Sequence, residues 1–271
     1  METHFAHKVF HPLIRALCPL LRKFPIRQYS ANPIKQSSPV VFVCNHSNMH
    51  DIPIAIEIIK RQVYVLLDDE PRKSIAGIAF SVNGAVWVNR NSKESRAQAM
   101  QTMQKHLQKG HDLLLFPEGT WNTTDCLPML PMSWSVVRLA RDNDCPIVPI
   151  TLEYPDFTSC YYCVGEPLQI LKDENDKEAI NRLRDAMATM RWRYWSEQAQ
   201  TSRSAITKYD HDIYSVLRHK EFRPKDYKMA YEREKAAIRY PYTTPQQAYA
   251  YMKRLIPSHA NAFLFNKHNE G

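Results

Sequence analysis

The chain has 271 residues, enough for one sizeable α/β domain with a small appendage, and 44% of them are hydrophobic, enough to build a core. Six Gly and 18 Pro exclude a low-complexity chain. The net charge of +8 sits on the flanks: residues 1–27 carry a net +4 and 203–254 a net +6, while 28–202 is near neutral, a pattern that suits an anionic membrane surface or nucleic acid.

Residues 7–27 repeat apolar side chains at helical spacing (Val9, Phe10, Leu13, Ile14, Leu17, Leu20, Leu21, Phe24), with basic residues between them. This predicts an amphipathic helix that either docks on the core or lies in a membrane interface. Pro12 fits an early helical position, and Pro19 is expected to kink or split the element. The segment is too interrupted by Arg15, Arg22 and Lys23 to read as a signal peptide or a membrane span.

The centre then alternates. Strands are expected at 39–44, 63–67, 85–88, 113–116 and 147–152, with helices at 51–60, 73–82, 92–108 and 133–142 between them. Gly110, after Lys109, reads as the stop of the third of these helices. Such β–α alternation predicts an α/β domain with a mostly parallel, layered sheet flanked by helices. Residues 175–200 read as a long helix rich in Arg and Trp, and beyond 201 strand signals vanish and Tyr becomes dense, which predicts a helical appendage. The expected organisation is an amphipathic membrane-associating segment at 1–30, an α/β domain at 31–200 and a basic extension at 201–271.

Six Cys in a chain of this length, without a secretory signal, are expected to be reduced thiols. Cys160 and Cys163 have the spacing of half a zinc site, but no second pair follows, so no metal is expected.

Four short blocks carry the chemistry. Asn45-His46-Ser47-Asn48-Met49-His50-Asp51 directly follows a buried strand, where a turn can bring the Asp51 carboxylate onto the His46 ring and leave the second ring nitrogen to take a proton. Gly84 to Arg90 ends a strand in a guanidinium fork suited to phosphate. Phe116-Pro117-Glu118-Gly119-Thr120 follows another buried strand with a sharp turn, so a carboxylate and a hydroxyl can face the same crevice. Val148-Pro149-Ile150 reads only as strand. Each block alone also fits an ordinary loop or strand end.

In this order, over roughly 38–170, the blocks resemble those of the glycerophospholipid acyltransferase family, which contains the lysophosphatidic acid and glycerol-3-phosphate acyltransferases. The resemblance implies that His46 is a general base, Asp51 its orienting partner, Arg90 a contact to acceptor phosphate, and Glu118, Gly119 and Thr120 a substrate-binding loop. It also implies a fatty acyl transfer from acyl-CoA or acyl-carrier protein to a lysophospholipid hydroxyl, 1-acyl-glycerol-3-phosphate first among them, with no cofactor. The expected place is the cytoplasmic side of the cell membrane, held peripherally through 7–27.

Two departures favour a different acceptor. That family usually has Arg after Phe-Pro-Glu-Gly-Thr, where this chain has Trp121, and often a Lys in the vicinity where this chain has Asp68-Asp69-Glu70. An amino-lipid or glycolipid acceptor is the alternative. From other classes, a serine hydrolase lacks its Gly-x-Ser-x-Gly elbow here. A nucleic-acid-binding protein has only the basic, Tyr-rich extension in its favour, and no nucleic-acid partner is expected.

Overall fold

The computed structural model describes residues 3–198, apart from 23, 49, 70–71, 73–74, 123–127 and 156–158. The expected extension at 201–271 lies outside the described residues.

Thirteen elements follow one another: α1 (Thr3–Leu21), β1 (Ile26–Ala31), β2 (Val41–Cys44), α2 (Asp51–Ile59), β3 (Val63–Asp68), α3 (Ile75–Val82), β4 (Ala85–Val88), α4 (Lys93–Gln108), β5 (Asp112–Leu115), α5 (Ser135–Asp142), β6 (Ile147–Glu153), β7 (Cys160–Val164) and α6 (Asp176–Ser196). The strands form one seven-stranded sheet in the order β1-β7-β6-β2-β5-β3-β4. The five strands from β6 to β4 are parallel, β7 runs antiparallel to β6, and β1 lies parallel to β7.

Side-chain alternation along the central strands divides the core between the two faces of the sheet. Val41, Val43, Leu113 and Leu115 face one cluster with Met103 and Leu107 of α4, Val136 and Val137 of α5, and Leu183 and Met187 of α6. Val40, Phe42, Cys44 and Leu114 face the other, with Ile54, Ile56 and Ile59 of α2, and Cys18 of α1. Both faces are covered, so the central strands read as unbroken apolar runs. Ser92 caps α4 by accepting from the Ser95 amide, and Gly110 follows its last turn at φ +78°.

The first 31 residues differ from the sequence expectation in two ways. The helix ends at Leu21 and is neither split nor kinked into two elements; Pro19 lies in its last turn, close to a helix end in any case. Residues 26–31 are a strand, β1, so the sheet begins inside the segment assigned to the amphipathic helix. The burial of β1 alternates weakly, as an edge strand's does, which left little periodic signal to read.

The structure joins the two readings of α1. The helix packs against α2 and α3, with His11 and Cys18 buried and the His11 ring 3.1 Å from Asn83 Oδ1. Its outer side leaves Phe10, Leu13, Leu17 and Leu20 exposed, Leu20 at 80%, and Ile78 of α3 is also exposed. Arg15 and Arg22 bond to groups of the protein itself: Arg15, though exposed, donates to the Lys60 carbonyl at 2.7 Å, and Arg22 pairs with Glu57 at 2.9 Å. No described helix is long and apolar enough to cross a membrane.

Candidate active site

The site lies at the carboxyl ends of the parallel strands, where an α/β sheet leaves a crevice. Asn45, next after β2, extends the ladder with its side chain. Its Oδ1 accepts from the Leu152 amide at 2.7 Å and its Nδ2 donates to the Leu152 carbonyl at 3.0 Å. Asn alone offers this pair of peptide-like groups on a short stem. The chain is thereby fixed to β6 one residue before His46.

The turn from His46 to α2 closes on Asp51, which is fully buried. One of its oxygens, Oδ2, accepts from the Ser47 amide at 2.5 Å, the Asn48 amide at 2.9 Å and His46 Nδ1 at 2.8 Å. The other, Oδ1, accepts from the Tyr154 hydroxyl at 2.5 Å. Burial, and then the Asp51 charge, push the Tyr154 phenol well above its ordinary value, so Tyr154 remains a donor. A carboxylate supplied with this many donors stays an acceptor, so the His46 proton sits on Nδ1 and the lone pair on Nε2. Placing Asp51 at the start of α2 adds the favourable field of the helix N-terminus.

Nε2 is met by the Trp121 indole, whose Nε1 donates to it at 2.8 Å. Phe116 stacks obliquely on the other side, its ring centroid 4.6 Å from that of His46. The Asn122 amide donates to the His46 carbonyl at 2.8 Å and ties the two loops together.

Phe116 to Gly119 form a tight turn, closed by the Gly119 amide on the Phe116 carbonyl at 3.0 Å, with Gly119 at φ +67°, a conformation L side chains resist. That turn points Glu118, expected from the sequence to bind substrate, inward to backbone amides of its own protein. Glu118 is fully buried: Oε1 accepts from the His46 amide at 3.1 Å and Oε2 from the Leu130 amide at 2.8 Å. It thereby ties the segment around Leu130 to the backbone of the histidine. The segment it grips is held from below by α6, where Arg184 donates to the Met129 carbonyl at 3.1 Å and Arg191 to that of Pro128. Arg191 is itself paired with Glu153 at 2.5 Å, which also accepts from the Trp195 indole at 2.9 Å. Thr120 is buried and its hydroxyl has no hydrogen-bond partner among the described residues. An unmet buried hydroxyl costs about 1–3 kcal/mol, which a bound molecule could recover.

Arg90 stands apart from this cluster. It follows β4, three strands from β2, or ~15 Å at the usual strand spacing. Its Nε lies 3.3 Å from Asp68 Oδ2, with 39% of the Arg90 side chain exposed. The guanidinium thus opens on the same edge of the sheet as His46 but shares its charge with the acidic end of β3.

The five described cysteines, Cys18, Cys44, Cys145, Cys160 and Cys163, are all buried. Cys44, beside the site, is wholly buried, and burial followed by the Asp51 charge pushes its thiol far up. Cys160 and Cys163 are three apart on β7, so their side chains leave opposite faces and cannot share an ion; burial pushes Cys160 up to about 12. Tyr154, Asn45 and Arg191 had no sequence signal as site residues. Only the position of Asn45 before His46 hinted at a role.

The acyltransferase family profile matches residues 25–153. Over 156 residues the chain is 26% identical to the lyso-ornithine lipid O-acyltransferase of Rhodobacter capsulatus, a stretch covering 56% of this chain and 55% of that protein, so the match spans about half of each. The fold is shared with the crystal structure of the 1-acyl-sn-glycerophosphate (LPA) acyltransferase, PlsC, from Thermotoga maritima, at a TM-score of 0.59 over 74% of this chain and 86% of that one, with 14% identity. The stretch that matches the acyltransferase profile, residues 25–153, holds both the His46–Asp51 pair and the Phe116–Trp121 turn.

Proposed function

We infer that this protein transfers a fatty acyl chain from a thioester, acyl-CoA or acyl-carrier protein, to the hydroxyl of a lyso-lipid at a membrane surface. The observation that carries this reading is the His46–Asp51 pair, 2.8 Å apart, with the lone pair of His46 directed away from Asp51. As the acceptor oxygen attacks the thioester carbonyl, Nε2 takes its proton; when the carbon–sulfur bond breaks, the same nitrogen returns that proton to the leaving thiolate. Asp51 holds the tautomer and stabilises the imidazolium formed in between. With Nε2 facing an indole rather than a Ser or Cys side chain, the transfer is direct, without an acyl-enzyme. The orphaned Thr120 hydroxyl is a donor for the substrate.

The acceptor reading favours a lyso-lipid with a zwitterionic or amine-bearing head over 1-acyl-glycerol-3-phosphate. A phosphate monoester needs concentrated positive charge. Here Trp121 stands beside His46, and Arg90 shares its charge with Asp68. The relative from Rhodobacter capsulatus, named for a lyso-ornithine lipid, points the same way. The lysophosphatidate reading retains one observation in its favour, the outward-opening guanidinium of Arg90.

The exposed Phe10, Leu13, Leu17 and Leu20, with Ile78, supply the apolar face for peripheral membrane contact. The test is acyl transfer in lipid vesicles by wild type, His46→Ala and Arg90→Ala, offered lyso-ornithine lipid and lysophosphatidate. Transfer to the aminolipid that His46→Ala abolishes and Arg90→Ala leaves within about threefold is expected. Transfer to lysophosphatidate alone, lost in Arg90→Ala, would establish the phosphate acceptor instead.

A further inference from the structure

We propose that Trp121 is a reversible cap on the His46 base, displaced by the acceptor hydroxyl, that keeps water from the bound thioester while the acceptor site is empty. The proposal rests on the reaction read above. It follows from a conflict over one lone pair. The Asp51 carboxylate takes the Nδ1 hydrogen of His46, which leaves a single acceptor position on the ring, at Nε2. The Trp121 indole, a donor only, fills that position at 2.8 Å. An acceptor hydroxyl must hydrogen-bond to the same nitrogen to be deprotonated. Indole and hydroxyl cannot both have it.

The geometry lets the side chain leave without moving the loop. The next residue is anchored, since the Asn122 amide donates to the His46 carbonyl at 2.8 Å. The indole meets the imidazole edge-on, with interplanar angle 84° and centroids 5.9 Å apart, so its N–H and not its ring face is turned to the base. Rotation about the Trp121 side-chain bonds frees Nε2 and leaves the indole beside the incoming hydroxyl as an apolar wall.

The consequence is chemical. Without a cap, a water at Nε2 could attack the thioester carbonyl. Nε2 would take one water proton, the carbon–sulfur bond would break, the thiolate would recover that proton, and the products would be a free fatty acid and a thiol. An indole has no oxygen to offer, so the capped base is inert until a hydroxyl displaces it.

The test compares wild type with Trp121→Phe, which keeps a ring and removes the N–H. Palmitoyl-CoA hydrolysis is measured in vesicles without acceptor, and transfer is measured with lyso-ornithine lipid and with lysophosphatidate. The variant is expected to hydrolyse the thioester at least about fivefold faster. Its KM for the acceptor should fall by about three- to tenfold, the worth of one hydrogen bond no longer displaced. Unchanged hydrolysis and KM, or a raised KM, would overturn the cap while leaving the transferase reading intact. Absence of transfer by folded wild type to either acceptor would overturn that reading and the cap's role with it. Independently of turnover, the Trp121 indole ¹H–¹⁵N resonance, identified by its loss in Trp121→Phe, should shift strongly in His46→Ala; an unmoved resonance refutes the hydrogen bond itself.

Discussion

Glu118→Ala is the sharpest test of the claim that this carboxylate supports the histidine instead of touching substrate. The substitution strands two backbone amides, the part-buried one of His46 and the buried one of Leu130, now 3.1 Å and 2.8 Å from its oxygens. Each unmet buried donor costs roughly 1–3 kcal/mol, so the pair costs about 2–6 kcal/mol against a total stability of about 5–15 kcal/mol. For a domain of this size each kcal/mol moves Tm by about 2–4 °C, which gives a fall of roughly 5–20 °C by scanning calorimetry. Glu118→Gln keeps the shape and one acceptor, and should lose less: about half the stability, together with a fall in kcat at nearly constant acceptor KM, because the loop bearing His46 loosens while the acceptor site is untouched. A Glu118→Ala protein that melts like wild type and has only a raised acceptor KM would refute this argument, and would return Glu118 to the substrate.

Asp51→Asn should lower kcat by on the order of 10²–10⁴, since an amide no longer fixes the Nδ1–H tautomer, with melting shifted far less; equal activity would remove Asp51 from the mechanism. Tyr154→Phe deletes the 2.5 Å donor to Asp51 Oδ1 and is expected to lower kcat about three- to thirtyfold at constant KM for both substrates, read by steady-state kinetics. Trp121→Arg places a cation beside His46 and should raise the ratio of kcat/KM on lysophosphatidate to that on the zwitterionic lysolipid by at least about tenfold. Replacing Leu13, Leu17 and Leu20 together by Gln should weaken vesicle flotation by at least about tenfold without changing the melting temperature, because these side chains face outward. The hydrogen bonds from Arg182 hold the Glu174 carboxyl below its ordinary 4.5. A depressed folded value adds stability that is present above that pH and lost as pH falls through the folded value. The urea-unfolding advantage of wild type over Glu174→Gln should therefore be present at pH 7 and be lost as the pH falls below 4.5 and through the depressed folded value.

The sequence by itself determined the layered α/β fold and the strand ends at which the His46 and Glu118 blocks lie. Apolar runs such as Val40–Cys44 and Leu113–Leu115 could only be strands buried on both faces, and the His46 and Glu118 blocks each begin where such a run ends. Local chemistry was legible wherever a short segment closes on itself. The five-residue turn from His46 to Asp51 and the Gly119 turn are both of this kind. Edge strand β1 was not legible, because its pairing with β7 joins residues more than a hundred positions apart and its alternation is weak. The same distance hid the partners of the His46–Asp51 pair. Tyr154 reaches Asp51 across 103 positions and Trp121 reaches His46 across 75, and nothing in either residue's neighbourhood specifies that contact. Glu118 shows the difference most plainly. Its identity was readable as chemistry, but only the turn of the folded chain decided that its charge faces two amides of its own protein and not the crevice.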